Sequence, residues 1–405
     1  MSERPPERHV QSPGTARIAL AVVMMIGASS QAVGTAGRLV LSLEALAQTD
    51  NELVVGILLG LFGLLPLFLS VPIGRWIDHS GALPPLVAGN IASLAGLLLP
   101  VAWPHVAALF LAAVLIGGGV MTHVISLNNV TGGIGTPAER TPNFGWLALA
   151  YSVGLFGGPF LAGFGIDHLG SRATLAVTLA LPVAIGLTLL ACRHALPGPT
   201  AHAARERGAF FELLRHSRLR RIFIIGVASS ASYELHGFLA PVYGHRLGLS
   251  ASTIGSIAGA LALGVIAVRV VSPWLLRRVS EWRLIAIALL VSSLLYAVFV
   301  TISSVPLLIG VSFALGAVLG ITQPVSMSLM HAAAPEGRSG EALGLRTMVM
   351  TAAQIGTQMS LGALSGLAGL LPVVWAYAAC TFSVGWMANR QAGRVGGGEN
   401  RRGRG

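Results

Sequence analysis

Val106-Ala-Ala-Leu-Phe-Leu-Ala-Ala-Val-Leu-Ile-Gly-Gly-Gly-Val-Met121 is an unbroken apolar run, and no acidic or Arg residue follows it until after Asn129. At a rise of 1.5 Å per residue, a helix over residues 106–129 reaches about 36 Å, more than the ~30 Å hydrocarbon core of a bilayer. A membrane strand would alternate apolar and polar positions over about 10 residues. This run does not alternate, so it reads as a helix in lipid. The composition agrees. The 405 residues are 54% hydrophobic and 10% charged, with mean hydropathy +0.76. A soluble domain carries about 25% charged residues, enough to cover its surface; this chain cannot.

Working outward, further runs of the same kind predict spans at roughly 18–40, 52–73, 83–103, 106–129, 143–166, 172–192, 222–244, 251–273, 283–303, 306–331, 341–364 and 367–388. The expected fold is an all-α membrane protein of about 12 transmembrane helices. Residues 1–17 are polar and hold Arg4, Arg8 and Arg17. They read as a cytoplasmic tail before an uncleaved first helix, because many spans follow. Residues 18–192 form one six-helix bundle, 193–221 a cytoplasmic linker, 222–388 a second six-helix bundle, and 389–405 a basic cytoplasmic tail.

All 26 basic residues are Arg. With the N-terminus in the cytoplasm, about 22 of them fall on the cytoplasmic side; Arg38, Arg172, Arg246 and Arg269 are the others. This is the positive-inside pattern, and it places both termini in the cytoplasm. The expected location is the inner membrane of a bacterium, as a multi-pass protein working as a monomer among its lipids. The net charge of +11 is thereby a topology signal beside anionic lipid, not a nucleic-acid footprint. Cys192 and Cys380 lie in or beside apolar runs and read as packing residues.

The chain repeats itself at an offset of about 199 residues. Asn51-Glu-Leu-Val-Val-Gly56 aligns with Ser250-Ala-Ser-Thr-Ile-Gly255, Gly157 with Gly356, and Gly163 with Gly362. Pro137-Ala-Glu-Arg-Thr stands against Pro335-Glu-Gly-Arg-Ser within one residue. Two parallel six-span halves are expected, pseudo-symmetric about the membrane normal, with the solute site between them near mid-membrane.

The loop after the second span reads Gly74-Arg75-Trp-Ile-Asp78-His79-Ser-Gly81. Here the chain resembles the major facilitator superfamily, whose pattern between spans 2 and 3 is G-x-x-x-D-[RK]-x-G-[RK]-[RK]. Gly74, Asp78 and Gly81 match; Ala82 and Leu83 replace the closing basic pair. The resemblance implies a gate in which Gly74 allows close helix approach, Gly81 a tight turn, and Asp78 faces the N-terminus of span 11. The equivalent stretch of the second half has Arg277 where Asp78 stands, so this device is one-sided. Span 5 carries Gly145, Gly154, Gly158-Pro159 and Gly163. These match the superfamily's antiporter motif G-x8-G-x3-G-P-x2-G-G except at Ala162. Such glycines flatten a helix face, and Pro159 permits a kink. The second half has Thr357 and Gln358 in place of Gly158 and Pro159. By resemblance the motif marks proton-driven exporters, of the drug:proton antiporter type.

A charge inside a span is a functional candidate by default. Glu234, flanked by Tyr233 and His236, is about 18 Å into span 7 by helical rise and is the candidate proton-coupling group. Its alternative is a hydrogen bond to a neighbouring helix. Arg38 attracts an anionic group of the solute, pairs with Glu44, or reaches the interface. Arg269, near the inner end of span 8, reads as a snorkelling side chain. Among neutral polar residues, Gln31, His123 and Gln323 fall in spans 1, 4 and 10, which line the cavity by resemblance; Asn128, Gln354 and Gln358 are further candidates.

No Lys exists for a phosphate-binding loop, so this chain does not itself use ATP, and no metal-ligand spacing or dinucleotide loop is present. No cofactor or metal is expected. The leading reading is a secondary active transporter that exports a small organic compound in exchange for protons, by alternating access. A proton-coupled uptake symporter is the alternative; a membrane enzyme or a sensor lacks the residues or domains each would need.

Overall fold

The computed structural model describes residues 13–136, 139–195, 217–333 and 339–402. The expected linker is therefore described only at its ends, and the first twelve residues, the last three and the repeat at 335–338 lie outside the described residues.

The described chain is helical throughout. Twelve helices cross in alternation: α1 (Pro13–Thr49), α2 (segments Glu52–Leu61 and Leu64–Ser80), α3 (Leu83–Ala102), α4 (Val106–Gly133), α5 (Arg140–Leu169), α6 (Ser171–Thr178 and Ala180–Ala191), α7 (Ser217–Arg246), α8 (Ala251–Arg278), α9 (Glu281–Phe299), α10 (Val305–Gly320 and Thr322–Ala333), α11 (Ser339–Ala368) and α12 (Leu370–Arg402). Twelve crossings return the chain to the face where it starts, called proximal here. The opposite face, carrying the loops at 50–51, 103–105 and 247–250, is distal. Eleven of the helices are long and apolar enough to cross a bilayer by those criteria alone. The exception among the expected spans is α11, where Thr351, Gln354, Thr357 and Gln358 dilute the apolar sequence. Its tolerance of polar residues follows from position, since Thr357 and Gln358 are buried against protein rather than lipid.

Proline chemistry explains why three helices are segmented. Proline has no N–H for the carbonyl four residues before it, and its ring crowds that carbonyl. The carbonyls four residues before Pro66, Pro182 and Pro324 belong to Phe62, Thr178 and Gly320, each at or beside a break (62–63, 179 and 321). α5 continues as one helix through Pro159. Side-chain caps start several helices at the distal face. Asn51 accepts from Leu53 N at 2.9 Å and Ser250 from Thr253 N at 3.3 Å.

The two halves meet at that distal face, and the contact obeys the sequence repeat. In α2 and α11, a Cβ on Gly56 would lie 2.6 Å from the Cα of Gly362. In α5 and α8, a Cβ on Gly255 would lie 3.2 Å from the Cα of Gly163. The offset of 199 turns Gly56 into Gly255 and Gly163 into Gly362, so these are the same crossing made twice. Polar latches surround it. Asp167 accepts from Ala251 N and Ser252 N, both at 2.9 Å, and so caps α8 from the other half. Arg246 pairs with Glu52 at 2.5 Å.

The proximal side differs. Gly81 adopts φ 77 and makes the expected tight turn. Gly74 does not fill its expected role in this state: a Cβ there would meet nothing within 4 Å. No ion pair of Asp78 occurs among the described residues, and residues 334–338, ahead of α11, lie outside them. Of the span 5 glycines, Gly154 and Gly158 lie against α1, Gly163 against α8, and Gly145 faces open space.

A Cβ on Gly362 would meet Glu52 O and Gly56 Cα, both at 2.8 Å. Gly362→Leu is therefore expected to part α2 from α11. In a Cys192→Ser, Cys380→Ser background, Thr35→Cys below this seal should then react several-fold faster with a membrane-impermeant thiol reagent supplied at the distal face. An unchanged rate would refute the seal.

Candidate transport site

Below the distal seal, α1, α5, α7 and α8 line a cavity of about 110 Å³. Most of its wall is apolar, including Leu39, Leu155, Ala258 and Leu261. Thr35, Arg38, Tyr233, Glu234 and His236 supply side-chain polarity. Arg38 is 11 residues from the end of α1, and Glu234 is 12 from the end of α7. Both therefore lie about 16–18 Å below the distal helix ends.

Glu234 is the most highly connected group. It is buried, and its Oε2 accepts from Arg38 Nη1 of the other half at 3.1 Å. The same oxygen accepts from Gln358 Nε2 of α11 at 2.7 Å, while that amide also donates to Glu234 O at 3.1 Å. Gln358 is fully buried, and its Oε1 has no partner among the described residues. Arg38 has a second neighbour, the ring of Phe62, at 5.2 Å from its guanidinium carbon. Glu234 thus has both partners expected of a carboxylate that must stay out of water: a cation and a neutral donor.

The structure places five of the candidates differently from the readings above. Arg38 pairs with Glu234 and not with Glu44, whose Oε1 accepts from Gln48 at 2.8 Å. Two residues on α1 six positions apart point to different faces, whereas α7 brings Glu234 directly opposite. Arg269 does not merely snorkel: its Nη1 donates to Ser152 Oγ at 2.9 Å and to Ala148 O at 3.3 Å, bridging α8 to α5 of the other half. His123 lies away from the cavity. It is fully buried between helices of one half, bonded to Ser30 Oγ at 2.9 Å and Leu86 O at 3.2 Å. Gln31 and Gln323 do not line the cavity either; Gln31 sits beside Gly154, and Gln323 is exposed at the break in α10. Tyr233 and His236 do line it. His236 Nε2 shares a hydrogen bond with Ser312 Oγ at 3.0 Å.

The sequence repeat also runs through the cavity. The same offset pairs Thr35 with Glu234, Arg38 with Gly237, and Pro159 with Gln358. Both halves thus present the same stations with different chemistry, and this correspondence is the signal that could have picked out Thr35 and Gln358. Two prolines add another feature. Pro159 and Pro241 line the cavity, as do Leu155 and Gly237, four residues before each. Proline denies those two carbonyls their α-helical N–H, leaving acceptor capacity at the wall of each half.

Residues 18–358 match the family model described as Major Facilitator Superfamily. The chain belongs to the major facilitator superfamily. It is accordingly a multi-pass membrane protein and a secondary transporter. The fold agrees with solved structures in the superfamily's range. A peptide transporter POT in complex with sulfate superposes with a TM-score of 0.79 at 16% identity, over 93% of this chain and 95% of that one. A bacterial homologue of the human lysosomal transporter Spinster, in an inward-facing and unoccupied conformation, gives 0.73 at 14% identity, over 94% and 98%. In sequence, Solute carrier family 67 member A1 of Homo sapiens is 29% identical over 197 residues, spanning 44% of this chain and 46% of the human protein.

Removing one member of a buried ion pair strands the other and typically costs about 3 kcal/mol or more. Arg38→Gln should therefore lower the thermal midpoint of the purified protein. Adding Glu234→Gln to it should restore much of the loss. A double variant no more stable than Arg38→Gln would show that the pair carries little energy.

Proposed function

We propose that this superfamily member is a proton-coupled exporter of a small organic compound, working by alternating access, with Glu234 as the proton-binding group. The observation that carries this is the Arg38–Glu234 pair, made between the two halves at 3.1 Å in the wall of the cavity. An ionised Glu234 attracts Arg38 and favours the approach of α1 and α7. A protonated one loses that attraction while keeping a hydrogen bond to Gln358. The proton thereby acts differently on two arrangements of the halves, which is what coupling requires. The α5 motif supports export: Gly154 and Gly158 seat α5 on α1, and Gly163 seats it on α8, so this helix bridges the moving halves. An uptake symporter could use the same pair, and the α5 motif is what favours export over it.

The proximal face is the cytoplasmic one in this reading, because the Arg residues concentrate there. A fluorescent-protein fusion to the C-terminus should glow and an alkaline phosphatase fusion should be inactive; the reverse would invert the topology. A deletion strain challenged with a compound panel supplies a solute whose toxicity rises. Energised everted vesicles should then accumulate that solute. In proteoliposomes, Glu234→Gln should keep solute exchange at equilibrium and lose acceleration by an imposed proton gradient. Gradient-driven transport of undiminished rate in that variant would remove Glu234 from the coupling role.

A further inference from the structure

The charges around the cavity do not cancel. Among the described residues at its depth, Glu234 is the one carboxylate, and Arg38 already occupies it. Arg269 is a second cation. It belongs to the membrane-crossing part of α8, 18 residues and so about 27 Å from the distal end of that helix. Its two bonds go to neutral oxygens, Ser152 Oγ and Ala148 O, and both use Nη1. No bond from its Nε or Nη2 occurs among the described residues, and the residue is exposed. Ser152 is one helical turn from Leu155 in the cavity wall.

With Glu234 ionised, the three groups sum to one positive charge; with Glu234 protonated, to two. In neither state does the cavity present net negative charge. A guanidinium in a span whose partners are neutral keeps its charge uncompensated, and a charge inside a span is a functional candidate by default. We propose that the solute is an organic anion with an apolar body. Arg269 holds the anionic group through its unused donors, at the proximal mouth of the cavity, and Leu39, Leu155, Ala258 and Leu261 receive the apolar body. This rests on reading the cavity as the solute site. It does not depend on Glu234 being the coupling group.

The test uses the full chain, purified in an uncharged detergent with no gradient. Thermal midpoints are measured against pairs of like apolar body and opposite charge: indole-3-acetate with tryptamine, and 4-phenylbutyrate with 4-phenylbutylamine. The expected result is saturable stabilisation by a carboxylate and none by its amine. Arg269→Gln should weaken the carboxylate's apparent affinity about tenfold, the loss of one charge-assisted contact, and Arg269→Lys should restore much of it. Should both variants fail to fold, the charge-matched pairs on the unaltered chain still decide. Stabilisation by an amine, by neither member of either pair, or by phosphatidylglycerol alone would overturn the proposal, the last by making Arg269 a lipid contact. Anion binding together with gradient-driven transport that survives Glu234→Gln would sink the coupling role and leave the anion in place. The opposite pair of results would do the reverse.

Discussion

Backbone contact at two glycine pairs, Gly56 on Gly362 and Gly255 on Gly163, sets the geometry on which the rest of the molecule depends. Side chains at these four positions would hold the halves apart at the distal face. With glycine there, α2 meets α11 and α5 meets α8 closely enough for Asp167 to cap α8 and for Arg246 to reach Glu52. Closure at one end fixes where the cavity lies: beneath the seal, bounded by α1, α5, α7 and α8. In lipid, where burying apolar surface provides no drive for helices to associate, such close approach is the main source of attraction.

Electrostatics then decides what the cavity can do. Apolar walls make a lone charge untenable, so Glu234 is satisfied twice, by Arg38 from the other half and by Gln358 from α11. The pair lies across the two halves, one partner on each. Arg269 stands apart. It bridges the same two halves through neutral oxygens, Ser152 Oγ and Ala148 O.

Much of this was legible in the sequence. The apolar runs, the Arg asymmetry, the loop motif and the span 5 glycines pointed to a two-half helical carrier of this superfamily. Gly56, Gly163, Gly255 and Gly362 stood out through the repeat, before their pairing across the halves was visible. Glu234 stood out because a lone carboxylate in a span demands a partner. The partner itself was not visible: of the readings open for Arg38, the paired one named Glu44, near it along the chain, whereas Glu234 is 196 positions away. His123 was a cavity candidate by resemblance, and in the structure it makes helix–helix hydrogen bonds, to Ser30 and Leu86. Gln358 was visible as a polar residue and not as the second donor to Glu234.

The sequence by itself determined what lipid enforces locally. Each span must be helical because its backbone has no water to bond, and each run's length and charge flanks declare it residue by residue. Tertiary structure alone decided which polar groups meet. A helix fixes the face on which a side chain sits, but which helix stands opposite depends on packing between distant segments. Thus the pairing of Arg38 with Glu234, the bridge from Arg269 to Ser152, and the retreat of His123 into one half became apparent only with the twelve helices in place.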